Sequence, residues 1–364
     1  MAPAGADEVD VPCSTAHRDD LGFPGSRRAA WGWPPAPSHG WRMRPKPSLS
    51  LLDVSGKQER RDRQRPGLEG NTCLTRITPR WPIAARLADH GVPQLLVGRS
   101  PDRMPELPGA QRRGPAAYAD AADMRRALEG ASTLILVSGH RTGRRLEEHA
   151  TAVEAAIAVG VGRVLYVSLV SAAPTATYLN ARDQWLTEQF LAGTGIRHTV
   201  LRAAFYAATP AALANEELVV SGPAPTGRAA FVTHEDIADV ITAVTIEDGP
   251  RSEHDGATLE ITGPEALTLD EAVTRIAAAT GRPYRYEPET LEEAFARRWR
   301  LGMSGEQIET WISWYQAIER GEVSVVTDVV PRLTGSPATP ISNAAWWPAP
   351  NTARGTAELR RKRS

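Results

Sequence analysis

The chain has 364 residues, with 42 Lys and Arg against 43 Asp and Glu, which gives a formal net charge of -1. This balance excludes the strongly basic surface of a bulk nucleic-acid binder. Two cysteines exclude a disulfide framework, and no apolar run reaches the roughly 18 residues that a membrane span needs. Because the first thirty residues also lack an apolar signal core, the composition predicts a cytoplasmic globular protein.

The two ends of the chain differ in composition from the part between them. Residues 1–70 are rich in proline, glycine and arginine, and their tryptophans follow no period. Such a segment buries too little apolar area to offset its ordering entropy. We therefore expect a disordered extension over 1–70 and a disordered tail over 342–364. A misframed gene start would give residues 1–82 the same character.

Between these ends, apolar runs alternate with segments of helical period. Strands are expected at 94–98, 133–138, 163–168 and 197–202, and helices at 121–128, 142–159 and 180–192. Continuous apolar runs joined by amphipathic helices are typical of a parallel sheet that is covered on both faces. Right-handed crossovers make such a sheet doubly wound. The predicted fold class is therefore α/β, a doubly wound parallel sheet of the Rossmann type.

After residue 202 the regular alternation of strands and helices ends, and a smaller, α-rich portion follows. A capping motif at Thr233 predicts a helix, and further elements are expected as a strand at 257–263 and helices at 268–280, near 290–300 and at 304–320. We expect a dinucleotide-binding domain over 71–232. We place a C-terminal substrate lobe at 233–341, over the carboxyl edge of the sheet, where doubly wound folds bind their ligands.

The segment TRITPRWP (75–82) stands where a dinucleotide fold has its glycine-rich turn. Arg76, Pro79 and Pro82 occupy the positions of the three glycines in a TGxxGxxG motif. The side chains of Arg76 and Pro79 crowd the backbone where a pyrophosphate would approach, and Pro79 and Pro82 have no N–H to donate. This pattern favours impaired phosphate binding. The alternative is that the helix dipole and the charge of Arg76 compensate.

This turn is expected to follow a short strand at 72–75 and to lead into a helix at 83–91. The residues that would line a cofactor phosphate there are Thr75, Arg76, Ile77 and Thr78. At the end of the next strand, Arg99 and Arg103 stand where NAD-preferring proteins carry an acidic residue for the ribose 2′-hydroxyl. Because arginine suits a 2′-phosphate, the sequence favours NADP over NAD.

Four stretches carry a family resemblance: LVGRSPDRMPELPGA (96–110), LILVSGHRTGRRLEEHATAVEAAIAVGVGRVLYVSL (134–169), ARDQWLTEQFLAGTGIRHTVLRAAFYA (181–207) and ITGPEALTLDEAV (261–273). On these residues the chain resembles the NmrA-like, atypical short-chain dehydrogenase/reductase group, near its NAD(P)H:quinone oxidoreductase type 2 branch. The resemblance implies a Rossmann domain for NADPH and a small substrate lobe. It also implies either hydride transfer to a quinone or redox-dependent regulation.

The resemblance also assigns site residues. Ser138 and Gly139 match positions beside the cofactor ribose and nicotinamide, and Ser168 matches a serine near the nicotinamide. Asn180 and Gln184 stand where extended relatives carry a tyrosine and a lysine. Neither side chain is a general acid at neutral pH, so carbonyl reduction through that dyad is not expected.

We assign Ser168, Gln184 and Tyr206 to the catalytic site, with Tyr178 as a further tyrosine near the crevice. The eight histidines show no ligand pair at i, i+4, and no metal site is predicted. The stripe of Trp311, Trp314 and Tyr315 is typical of a core face, although it could also line a quinone pocket.

Two functions from different classes remain. The first is an oxidoreductase that passes hydride from NADPH to a quinone or similar acceptor. The second is a non-catalytic, nucleotide-sensing or regulatory NmrA-like protein in which cofactor binding is impaired or lost. The missing glycines and the missing dyad favour the second, whereas the intact remainder of the fold favours the first. The sequence gives no oligomeric state.

Overall fold

The computed structural model describes residues 48–53, 80–139, 141–247 and 252–344, all within one compact unit over 46–364. The strands are β1 (Ser48–Asp53), β2 (Gln94–Gly98), β3 (Ala110–Arg113), β4 (Ala131–Val137), β5 (Arg163–Leu169), β6 (Arg197–Ala203), β7 (Val219–Gly222), β8 (Arg228–Ala229), β9 (Thr258–Ile261), β10 (Leu267–Thr268) and β11 (Arg285–Pro288). Seven of them form one parallel sheet in the order β3-β2-β1-β4-β5-β6-β9.

Helices connect these strands and cover the sheet. They are α1 (Arg80–Asp89), α2 (Ala121–Leu128), α3 (Arg145–Ala158), α4 (Leu179–Thr194), α5 (Thr209–Ala212), α6 (His234–Ile246), α7 (Leu269–Thr280), α8 (Leu291–Arg300), α9 (Gly305–Glu319) and α10 (Val329–Thr334). The predicted doubly wound α/β fold is confirmed. None of the helices within the described ranges is long and apolar enough to cross a membrane.

Strand β1 fixes the place of the ligand crevice. It pairs with β2 on one side and with β4 on the other, so that Leu51 is in register with both Leu96 and Ile135. The chain therefore winds outward from β1 to β2 and β3, and then crosses back to β4. The order of the sheet reverses at this point, and doubly wound folds bind their ligands at the carboxyl ends of the strands there.

The origin of β1 differs from the sequence prediction. We expected the central strand at 72–75, but it is Ser48–Asp53. From the sequence, we placed these residues in the extension at 1–70. The segment SLSLLD has the apolar character of a strand inside a parallel sheet, and pairing with distant strands decides between such short candidates. Residues 72–75 and the turn residues Thr75, Arg76, Ile77 and Thr78 lie outside the described ranges.

Helix α1 begins three residues earlier than predicted, at Arg80, so that Pro82 lies in its first turn. Proline is tolerated there because the first N–H groups of a helix have no intrahelical acceptor. The ends of α7 follow the sequence signals closely. Thr268 forms a capping box with Glu271, and Gly281 ends the helix at a φ of 66°.

The sheet separates two hydrophobic cores. Neighbouring residues on a strand face opposite ways, so Leu95 and Leu134 lie in one core while Leu96 and Ile135 lie in the other. One core is closed by α1 and α6, and the other by α2 and α3. Burial on both faces explains why the strands are continuous apolar runs.

A third core lies among the C-terminal elements, where β10 pairs with β8 and β11 pairs with β7. Trp314 and Tyr315 are 3% and 1% exposed, and Trp311 is half-buried. A Cβ atom on Gly222 would lie 1.9 Å from the Tyr315 ring, so the glycine is what lets α9 approach β7. The predicted core stripe is thus confirmed for Trp314 and Tyr315. The domain boundary at 232/233 stays a prediction.

Candidate active site

The carboxyl ends of β4 and β5 meet helix α4 in a cluster of polar side chains. Ser138, directly after β4, donates a hydrogen bond from its Oγ to Oε1 of Gln184 on α4 at 2.8 Å. The Tyr166 hydroxyl donates to the same oxygen and lies 3.3 Å from the Ser138 Oγ. The structure therefore brings together two residues that were assigned to the site by sequence, Ser138 and Gln184.

Tyr166 is the partner that sequence reasoning missed. Its side chain is fully buried, and this burial raises its pKa to about 12. The phenol therefore stays protonated at neutral pH, and its hydrogen bond to Oε1 orients the Gln184 amide. A tyrosine inside the apolar run RVLYVS was the only signal, because a hydroxyl inside such a strand must find a partner.

His149 on α3 supports this cluster. Its ring lies edge-on between Tyr118 and Tyr166, with centroid distances of 5.6 Å to each. Its Nδ1 is 3.0 Å from the Thr187 Oγ1. Burial lowers the pKa of His149 to about 3, so the imidazole is neutral at physiological pH.

Ser168 belongs to a second polar group beneath the edge of the sheet. It is 2% exposed, and its Oγ donates to Oε1 of Glu188 at 2.5 Å. The Arg202 guanidinium contacts both carboxylate oxygens of Glu188, at 3.0 and 2.6 Å, and these hydrogen bonds raise the pKa of Arg202. The Ser168 hydroxyl is thus engaged inside the protein, and its catalytic role stays a prediction.

The two tyrosines predicted near the crevice pack against other aromatic rings. The Tyr178 ring packs edge-on against Phe205 at 5.5 Å, and Phe205 stacks on Trp314 at 5.0 Å. The Tyr206 ring lies 4.6 Å from that of His234, and burial raises the pKa of Tyr206 to about 12. Within the described ranges, no hydrogen bond joins Tyr206 to Ser138, Tyr166 or Gln184.

Several buried polar atoms at this edge have unused hydrogen-bonding capacity. Arg145, at the start of α3, is 4% exposed and donates from its Nη2 to the Gly139 carbonyl at 3.0 Å, while its Nη1 is 3.9 Å from Asp183. The buried atoms of this edge that lack a hydrogen-bond partner within the described ranges include Arg145 Nε and Nη1, Ser171 Oγ and Asn180 Oδ1.

Ser171 has a φ of 65°, in the left-handed region that residues other than glycine rarely adopt. Unsatisfied buried polar atoms are rare and costly, so an accumulation of them beside a residue of this conformation is typical of a ligand-binding edge. The Arg145, Ser171 and Asn180 side chains thus fit a polar ligand group at the carboxyl ends of β4 and β5.

The positions assigned to a 2′-phosphate lie at the end of β2. Arg99 follows β2 directly and is half-buried, whereas Arg103 is exposed in the short 3-10 turn Pro101–Arg103. Both lie beyond the carboxyl end of the strand next to β1, where the ribose of a dinucleotide is held in this fold class. Their placement and charge therefore fit a 2′-phosphate.

Comparisons with known proteins indicate a nucleotide-binding domain in the same part of the chain. A family model described as NAD(P)H-binding matches residues 82–248. Quinone oxidoreductase 2 of Escherichia coli (strain K12) is 34% identical over 183 residues, which are 49% of this chain and 60% of that protein. The chain thus aligns with less than two thirds of this relative.

Solved structures share the fold over a longer span. The NADPH complex of the Escherichia coli NADPH-dependent quinone oxidoreductase superposes with a TM-score of 0.67 at 24% identity, covering 81% of this chain and 97% of that one. NmrA, a negative transcriptional regulator, gives a TM-score of 0.60 at 14% identity, covering 82% and 94%.

Fold and site together define a Rossmann protein with an NAD(P)H-binding type of domain. Within that class, the chain is similar in sequence to quinone oxidoreductase 2 and shares its fold with that protein and with NmrA. The resemblance drawn from the sequence is confirmed.

Proposed function

We propose that the protein is a reductase that uses NADPH and transfers hydride to a quinone or a similar conjugated acceptor. The observation that carries this proposal is the polar cluster of Ser138, Gln184 and Arg145 at the carboxyl ends of β4 and β5, within the segment that matches the NAD(P)H-binding model. The names of the relatives support the choice of acceptor, since quinone oxidoreductase 2 is among them.

The residues that would hold the cofactor follow from their places in the fold. Arg99 and Arg103 would bind the 2′-phosphate, and the backbone at Gly139 would lie beside the nicotinamide, with Ser138 and Gln184 positioned behind it. When bound, NADPH supplies the hydride. Tyr178 and Tyr206, which pack against other aromatic rings, would contact the acceptor.

The side chains present decide which acceptors are suitable. Asn180 and Gln184 hold the positions of the tyrosine and lysine of related reductases, and an amide donates no proton at neutral pH. Tyr166 and Tyr206 have pKa values raised to about 12 by burial. A quinone fits these limits because its reduced oxygens accept protons directly from water.

A titration of the full chain with NADPH and with NADH, followed by protein fluorescence, tests the first step. Replacing Arg99→Ala should weaken NADPH binding about tenfold or more and leave NADH binding unchanged, because only NADPH offers the phosphate. Arg125→Ala, an exposed arginine on α2, is the matched control. Oxidation of NADPH, followed at 340 nm with a soluble quinone, then tests the transfer.

A second candidate, a nucleotide-sensing or regulatory protein without catalysis, is favoured by one further observation. The family match begins at residue 82, after the segment where Arg76 and Pro79 replace glycines. A variant combining Arg76→Gly, Pro79→Gly and Pro82→Gly separates the two functions. If only this variant binds NADPH, the reductase proposal fails for the natural chain; micromolar binding by the natural chain supports it.

A further inference from the structure

A cluster of metal-ligand side chains lies at the opposite edge of the sheet from the candidate active site. Glu247 directly follows α6, and Glu253 and His254 precede β9. The adjacent backbone is held at the amino end of β6, where the Gly256 N–H donates to the His198 carbonyl at 2.7 Å. Because all strands of this sheet are parallel, the cluster is separated from the carboxyl ends by the full length of the strands.

His254 is the centre of this cluster. It is 6% exposed, and its Nε2 lies 2.8 Å from Oε1 of Glu247 and 3.7 Å from Oε1 of Glu253. The short contact with Glu247 is not aligned as a hydrogen bond, and Nε2 has no hydrogen-bond partner among the described residues. A nitrogen and an oxygen ligand of one metal ion can also lie close together in this way, because each is about 2.0–2.2 Å from the ion.

The backbone and the carboxylate around this histidine are held in place. The His254 N–H donates to the Ser252 Oγ at 3.1 Å, and the His254 carbonyl accepts from the Thr199 Oγ1 at 2.8 Å. The Ser252 hydroxyl donates to Oε2 of Glu247. One carboxylate oxygen is therefore used to orient Glu247, and the other faces the imidazole, as in metal sites whose ligands are oriented by outer hydrogen bonds.

The three ligand atoms lie within 4.8 Å of one another. Bonds of about 2.0–2.2 Å from nitrogen and oxygen to zinc bring two ligands of one ion to about 4 Å or less. The Glu253 side chain is 81% exposed, so it can move the remaining distance without disturbing the core.

The surrounding charges leave the two glutamates available to a cation. The neighbouring guanidinium groups of Arg163 and Arg197 contact Asp255, at 3.1 and 3.4 Å. Asp255 thus pairs with both guanidinium groups, although Arg163 also interacts electrostatically with Glu247. Two carboxylates and an imidazole then offer oxygen and nitrogen ligands to a divalent ion.

We propose that Glu247, Glu253 and His254 form a binding site for a divalent transition-metal ion, with zinc as the preferred ion. One imidazole with two carboxylates suits zinc, and three protein ligands leave a fourth position for water. Magnesium and calcium prefer sets made of oxygen alone. The sequence did not indicate this site because Glu247 and His254 share no helix, and their separation matches no ligand motif.

The test is a titration of the chelator-treated full chain with zinc chloride, in competition with a chromophoric chelator. We expect one equivalent to bind to the natural chain and to His90→Gln, a control that removes an exposed histidine elsewhere. Binding should weaken about tenfold or more in Glu247→Gln and His254→Gln, because each change removes a ligand. Magnesium chloride at the same concentration should not compete.

Glu253→Gln keeps the proposal falsifiable if the buried variants fold poorly, since its side chain is exposed. Weaker zinc binding by this variant, at an unchanged far-ultraviolet circular dichroism spectrum, supports the site. Binding equal to that of the natural chain in both Glu253→Gln and Glu247→Gln would place the zinc elsewhere and overturn the proposal. Absence of binding by the natural chain would overturn it as well.

Discussion

Two arginines, the partly buried Arg202 and the buried Arg163, lie at opposite edges of the central sheet and are held in contrasting ways. Arg202, near the carboxyl end of β6, makes a bidentate pair with Glu188, and these hydrogen bonds raise its pKa. Arg163, at the start of β5, has one carboxylate partner, Asp255, and otherwise donates to Val244 O and Thr199 Oγ1. Burial lowers the pKa of Arg163.

This difference shows that the geometry of the partners, together with burial, decides what a charge contributes to stability. A bidentate pair satisfies both partners in one plane, whereas a guanidinium shared among neutral acceptors recovers less of its hydration energy. The edge with the well-matched pair is also the edge where Ser168 and Gln184 are positioned. We therefore expect the two edges to respond unequally to the same substitution.

The largest effect on the free energy of unfolding is expected for Arg202→Met. This change leaves the buried Glu188 with Ser168 as its remaining partner, and breaking a buried pair costs about 3–5 kcal/mol. The free energy of unfolding from urea denaturation should fall by about 3 kcal/mol. Glu260→Gln is the control, because Glu260 is 3.6 Å from Arg202 and more exposed; a loss of less than about 1 kcal/mol is expected.

A second effect is the pH dependence of stability that comes from the buried, neutral His149, which contacts Thr187 on α4. Its pKa is lowered to about 3 by burial, against 6.5 in the unfolded chain. The unfolded state therefore binds the extra proton below pH 6.5, and stability falls as the pH drops from 6.5 toward 3. Between pH 7 and pH 5 the natural chain should lose about 2 kcal/mol more than His149→Gln.

Urea titrations of both proteins at several pH values check this expectation. His234, whose pKa burial lowers to about 4, contributes a similar slope to both proteins and cancels in the difference. Equal slopes for the natural chain and His149→Gln would show that the imidazole is protonated in the folded protein.

The smallest effect is expected at the amino edge. Arg163→Met replaces a charge that burial disfavours by an apolar side chain of similar length, and Asp255 keeps its contact with Arg197. The free energy of unfolding should change by about 1 kcal/mol or less. If Arg163→Met lowers the free energy of unfolding as much as Arg202→Met does, the proposed difference between the two edges is wrong.

Much of the fold follows from local signals in the sequence. Capping residues and apolar period locate α7 and α9, and continuous apolar runs locate β4, β5 and β6. The central strand did not follow, because we placed residues 48–53 in the extension at 1–70 and expected the strand at 72–75. Pairing with β2 and β4, which is distant in sequence, distinguishes them.

The candidate site shows the same limit. The family resemblance indicated Ser138 and Gln184, which the structure brings into contact. It did not indicate that Tyr166 would share the Gln184 oxygen, nor that Arg202 would hold Glu188. These partners depend on how far α4 is rotated against β5 and β6, and side-chain packing sets that rotation.

The left-handed conformation of Ser171 has a consequence for how this position can change. A glycine would remove the steric strain, about 1 kcal/mol or more, but it would also widen the conformations open to the unfolded chain. These two effects nearly cancel, so stability alone gives little reason to prefer either residue. What separates them is the hydroxyl, and the exchange Ser171→Gly would show whether a ligand uses it.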